Sequence, residues 1–131
     1  MLSSLTSAGE SWMKCVMSTK REIRDYLEDI LQSTLDIREF TAGMTFDQFA
    51  GDRRTVNAVI RGLEIIGEAT KKIPLEIRSR QPDLPWIEIA AMRDKLIHEY
   101  FGVDLEIVWE TAVNDLSFLE RAIRFLLEEV D

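Results

Sequence analysis

Residues 93–100 read Arg-Asp-Lys-Leu-Ile-His-Glu-Tyr, and this stretch holds the single histidine of the chain. His98 is a candidate proton acceptor or donor, because imidazole titrates near neutral pH. Arg93 offers a planar, permanently charged fork that matches the oxygens of a phosphate. Asp94 lies four residues before His98, on the same helical row, and could fix the imidazole tautomer as carboxylates do beside catalytic histidines. Tyr100 falls nearly in line with Arg93 at 100° per residue. Burying such groups together costs free energy unless each is paired. An ordinary helix end explains the same residues: the dipole favours a C-terminal His, the acids solvate, and Tyr100 packs with its hydroxyl outward. Spacing alone leaves both readings open.

Two other groupings invite chemistry. Glu64 and Glu68 share a helix face and, with His98, form an alternative metal set, since helical bundles host carboxylate sites. The Glu-x-x-His pair that such sites use is absent, because Lys95 stands three residues before His98, so no metal and no cofactor are expected. Glu64 and Glu68 are better placed on a solvated face or paired with Arg61 or Lys71. Trp86 and Trp109 are expected to be burial anchors and not platforms for stacked bases.

The elements that must position these residues are all helical. Ser18-Thr19 is a plausible N-cap for a first helix whose apolar positions Ile23, Leu27, Ile30, Leu31 and Leu35 recur at helical steps until Gly43 stops it. Thr45 to Phe49 reads as a single capped turn. A second helix begins near Asp52, carries Val56, Val59, Ile60, Leu63, Ile66 and Ile73 on one stripe, and is closed by Pro74. One helical turn is expected around Leu75 to Arg80. Asp83 can cap a third helix with Pro85 in its first turn, a buried face of Trp86, Ile89, Ala90, Met92, Leu96 and Ile97, and an end near His98. After a reversal at Gly102, Asp104 caps a last helix running from Leu105 to about Leu127. The fold class is therefore all-α, an up-and-down four-helix bundle with short extra turns. Val108, Trp109, Phe118 and Phe125 do not fit one stripe of the last helix, which implies a second burial surface and a homodimer.

Composition bounds the alternatives. The 131 residues, 46% hydrophobic and 31% charged, suit one compact domain, here 18–131. Residues 1–17 are Ser-rich and weakly patterned, and read as a poorly ordered extension or a misassigned start, with Met13 and Met17 as other starts. A net charge of −8 disfavours non-specific coating of nucleic acid, although a cleft needs only a few well-placed Arg and Lys. The lone Cys15 rules out an internal disulfide. No apolar run reaches the roughly 18 residues of a membrane span, and the N-terminus lacks the basic start of a signal peptide. A cytoplasmic location without membrane association is expected.

Several separated segments share one further pattern. Tyr26-Leu27-Glu28-Asp29-Ile30-Leu31, then residues 58–69, Leu84-Pro85-Trp86, the Arg93, His98 and Tyr100 spacing, and Phe101-Gly102-Val103-Asp104 before Val108-Trp109 together resemble the HEPN-fold toxins of the HepT type. The resemblance covers Thr19 to the C-terminus. It departs from the family pattern at Gly62, where Asn is expected after Arg61, and over the first 17 residues. The resemblance implies a HEPN-like bundle and a metal-independent endoribonuclease. Arg93 and His98 would be its catalytic residues, Asp94 a supporting one, and a homodimer would join the sites of both protomers. It also implies the toxin role in a type VII-like toxin-antitoxin pair. The partner would be a nucleotidyltransferase antitoxin of the MntA type that attaches AMP to Tyr100. RNA would be the substrate, and DNA is not expected to be one. A non-catalytic helical module that binds a nucleotide or docks a partner remains the alternative on the residues themselves.

Overall fold

The structure is a computed structural model that describes residues 21–98 and 103–130, with Ile97 and His98 given only by their place in a helix. Four principal helices and two short ones form the described part: α1 (Ile23–Thr41), α2 (Phe46–Ala50), α3 (Arg53–Thr70), α4 (Leu75–Arg78), α5 (Trp86–His98), and a last helix made of α6 (Leu105–Glu110), a π-helical turn (Thr111–Asp115) and α7 (Leu116–Glu129). No strand occurs among the described residues. The expected all-α class and the order of the principal helices both hold.

Several boundaries differ from expectation. Ser18 and Thr19 lie outside the described residues, and α1 starts later, at Ile23, where the Glu22 N–H donates to the Asp25 carboxylate (3.0 Å). Thr41 ends α1, and Gly43, at φ +76°, carries the chain through a left-handed turn that other residues adopt at a cost. Thr45 caps α2 as read, its hydroxyl accepting from Gln48 N–H while the Gln48 amide oxygen accepts from Thr45 N–H. α3 closes at Thr70, four residues before Pro74. The Arg78 guanidinium, from α4, donates to the last carbonyl of α3, Thr70 O (2.7 Å), and to Ile73 O (2.9 Å) in the turn that follows, so a side chain satisfies the helix end well before the proline expected to close it. Ile73 still buries, but in the turn beyond the helix. Pro85, and not Asp83, directly precedes α5. Asp104 caps α6 by accepting from the N–H groups of Glu106 and Ile107.

The stripes of α1, α3 and the last helix close on one core built from Leu27, Ile30, Ile37, Val59, Leu63, Ile66, Ile123 and Leu126. Arg24 at the start of α1 donates to the carbonyls of Leu127 and Val130, so α1 and the last helix run antiparallel. In the last turn of α1 Arg38 pairs with Glu120. α1 packs on both α3 and the last helix, whereas α5 rests chiefly on α3. As a result, among the described residues of the α5 face expected to be buried Trp86 alone is so, Ile89, Ala90, Met92 and Leu96 are half-buried, and the Ile97 side chain lies outside the described residues. An open apolar groove of about 590 Å³ remains between α5 and the last helix, with Leu63, Ile66, Met92 and Leu119 among its walls.

Both tryptophans are anchors, as expected. Trp86 is buried with its indole N–H donating to Gln81 O (2.8 Å). Trp109 packs on Phe49 and Phe46, with ring centroids 5.2 and 6.4 Å apart. Val108 is likewise buried in the core. Of the four residues that implied a second surface, then, Val108 and Trp109 are satisfied within the chain, while Phe118 and Phe125 stay exposed.

Candidate active site

α5 and α3 approach closely because residue 67 has no side chain. A Cβ on Gly67 would stand 3.0 Å from Arg93 N, 3.1 Å from Ile89 O and 3.2 Å from Arg93 Cβ, two of them backbone atoms that cannot swing away. Gly67 therefore fixes how near Arg93 comes to α3. The very next residue of α3, Glu68, is the charge partner of Arg93. Arg93 Nε lies 3.1 Å from Glu68 Oε2, and its Nη1 donates to Asp94 Oδ1 (3.3 Å). The other Asp94 oxygen accepts from Lys71 Nζ (3.0 Å). A chain of alternating charge, Lys71–Asp94–Arg93–Glu68, thus ties the exposed edge of α3 to α5. The Lys71 ammonium, and next to it Arg93, hold the Asp94 carboxyl below its usual range.

The expected site residues fare differently. Arg93 and Asp94 pair with one another, a contact the sequence reading did not name. Position 98 belongs to the same unbroken helix as Arg93, while the His98 side chain, Glu99 and Tyr100 lie outside the described residues. Asp94, read as a support for His98, has its described contacts with Lys71 and Arg93. Glu64 pairs loosely with Arg61 (3.7 Å), as anticipated, but Glu68 pairs with Arg93 and not with Arg61 or Lys71. No cluster of three or more His, Cys, Asp or Glu able to hold a metal ion occurs among the described residues. No described helix is long and apolar enough to cross a membrane.

Sequence reasoning missed Gly67, Glu68 and Lys71 as the residues that hold Arg93 and Asp94. One signal was available: a glycine inside a strong helical stripe marks a close approach to a neighbour. Gly62, the departure from the family pattern, has a packing reason. A Cβ there would lie 2.7 Å from both Cγ1 and Cδ1 of the fully buried Ile37, so in this chain position 62 is where α3 meets α1.

Beside Arg93, an open cleft of about 310 Å³ runs along the outer face of α3 between α1 and α5. Its floor follows Arg61, Glu64, Ile65, Glu68 and Ala69, residues that recur at helical steps on one stripe of α3, and continues to Lys72 just past the helix end.

The family model "Ribonuclease HepT-like" matches residues 30–126. A protein of Thermococcus cleftensis named "Probable ribonuclease HepT" is 50% identical over 101 residues, which is 77% of this chain and 92% of its own length. A Methanocaldococcus jannaschii protein named as an RNase is 42% identical over 112 residues, covering 86% of this chain and 93% of its own length. Another, from Caldanaerobacter subterraneus subsp. tengcongensis and also named as an RNase, is 46% identical over 106 residues, covering 81% and 95%. No solved structure matched the chain.

Proposed function

Since the chain belongs to the HepT-like ribonuclease family, we propose that it is an endoribonuclease that acts as a homodimer, with Arg93 and His98 of both copies facing a shared groove and no metal in the reaction. One structural observation carries this reading: Arg93 and position 98 occupy a single continuous helix, and that helix is held against α3 by the close approach at Gly67.

The chemistry follows from the residue types. The 2′-hydroxyl of a ribose attacks the adjacent phosphorus, forming a P–O2′ bond and breaking P–O5′. The His98 imidazole of one copy takes the 2′ proton, and the imidazolium of the other gives a proton to the departing O5′. The products are a 2′,3′-cyclic phosphate and a 5′-hydroxyl. Arg93 stays charged throughout, and its fork opposes the charge that gathers on the phosphate oxygens. Asp94 supports by holding Arg93. Each chain has one histidine, so a dimer supplies acid and base together. The exposed Phe118 and Phe125 and the apolar groove beside α5 offer a face for the second copy.

In the same reading the chain is the toxin of a type VII-like pair, working in the cytoplasm. A nucleotidyltransferase antitoxin of the MntA type silences it, the Tyr100 oxygen displacing pyrophosphate from ATP and acquiring AMP. An added phosphate two residues from His98 places bulk and negative charge where the anionic substrate must come. DNA, which lacks the attacking hydroxyl, is not a substrate.

The test is cleavage by the purified protein. RNA should be cut in the presence of EDTA, and His98→Ala and Arg93→Ala should each abolish cutting. Full activity in His98→Ala, or activity lost in EDTA and restored by a divalent cation, would overturn the reading.

A further inference from the structure

The cleft beside Arg93 has a charge balance unlike that of the rest of the chain. Arg21, Arg61, Lys72 and Arg93 line it against Asp29, Glu64 and Glu68, four cations to three carboxylates, in a protein of net charge −8. Arg93 stands between Arg61 and Lys72 along the cleft, since it reaches Glu68, which lies on α3 between Arg61 and the helix end that Lys72 follows. Arg61 lies nine residues before the end of α3 at Thr70, roughly 14 Å at the rise of an α-helix, and Lys72 stands two residues past that end.

Arg93 is held by Glu68 and Arg21 by Asp29 (2.7 Å), whereas Arg61 and Lys72 are free to change partners. The Arg61 side chain is 71% exposed and meets Glu64 only at 3.7 Å, a contact that contributes little in water. Among the described residues Lys72 forms no ion pair. Just before α1, the Arg21 guanidinium lies 5.0 Å from the centre of the Tyr26 ring, an aromatic side chain of the kind on which bases stack.

We propose that this cleft holds the backbone of a single RNA strand on either side of the bond that is cut, with Arg61 and Lys72 contacting flanking phosphates and Arg93 the central one. The inference rests on the ribonuclease reading for its choice of RNA. A groove between helices, with separated cations and an aromatic edge, suits one strand whose bases are unstacked. Arg61 and Lys72 bind substrate and take no part in the chemical step.

The test separates binding from cutting. A short single-stranded RNA with every 2′-hydroxyl methylated cannot be cleaved, and its binding is followed by fluorescence anisotropy between 50 and 200 mM salt. The double variant Arg61→Gln/Lys72→Gln should bind it about tenfold more weakly, with a salt slope shallower by about 1.4, the counterion release of two single-strand phosphate contacts. On cleavable RNA the same variant should show a raised KM and an unchanged kcat. Binding and salt slope equal to wild type would overturn the cleft assignment, even if wild type cuts RNA. Weakened binding by the variant of a wild type that binds but does not cut would uphold the cleft and remove only the catalytic reading. Both side chains project into solvent, so loss of folding is not an expected outcome, and a thermal melt verifies it.

Discussion

Arg93 is gripped by Glu68 across the α3–α5 contact, Nε to Oε2 at 3.1 Å, with Asp94 on its Nη1 and Lys71 behind Asp94. The pair holds the guanidinium in one place before any substrate arrives, which spares ordering it during reaction. It leaves several of the five guanidinium donors for a phosphate.

Glu68→Gln keeps the shape of the side chain and removes its charge. Because both partners are substantially exposed, the melting temperature should hardly move. Turnover should fall by about tenfold as Arg93 loses its fixed position. Steady-state kinetics beside a thermal melt distinguish this from a stabilising role, which would lower the melting temperature and leave kcat intact.

Gly67 is the hinge of the same contact. Gly67→Val meets the backbone of α5 at 3.0–3.1 Å and should destabilise the fold by about 1–3 kcal/mol, the usual cost of overpacking. Gly67→Ala should cost less, because the gain in helix propensity offsets part of the clash. Denaturant unfolding gives both values. Cleavage at a temperature where each variant is fully folded should still be reduced, since α5 carries Arg93 away from Glu68.

Position 62 tests the packing of α3 on α1. Gly62→Asn should destabilise by about 1–3 kcal/mol, because its Cβ would lie 2.7 Å from the buried Ile37. In an Ile37→Ala background the same change should cost at least ~1 kcal/mol less, a coupling that a double-mutant cycle measures. Additive effects would mean that the two residues do not compete for space.

The core helices were legible because their apolar residues recur at helical steps, and so was the cap at Asp104, whose side chain acts within its own turn. Contacts made across the fold were not legible. Arg78 reaches back to the last carbonyl of α3 at Thr70, and no period in the sequence announces that. Glu68 and Arg93 are 25 residues apart, so nothing local distinguishes their pairing from Glu68 with Lys71. Ser18 and Thr19 made the better N-cap by residue type, yet the helix starts after Glu22. The half-buried face of α5 could not be foreseen either, because apolar residues at helical spacing look alike whether the neighbour that covers them is present or absent.

Glu120 links stability to pH. The Arg124 guanidinium, with Arg38 across the bundle, holds its carboxyl below the ordinary value of 4.5. A lowered folded-state pKa stabilises the fold above the unfolded value, and that stability drains away as pH falls below about 4.5 through the folded-state pKa. Wild type should therefore be more stable than Glu120→Gln at pH 7, and the difference should shrink towards pH 3. Melting curves across that range check it, and a constant difference would contradict the assignment.

Whether Arg93 and His98 cut RNA through its own 2′-hydroxyl is read most directly from the ends of the fragments. Wild-type protein incubated with RNA in EDTA should release 2′,3′-cyclic phosphate and 5′-hydroxyl ends, and His98→Ala should release neither above background. Fragments ending in 3′-hydroxyl and 5′-phosphate, or cutting of an all-deoxy strand at a comparable rate, would contradict it.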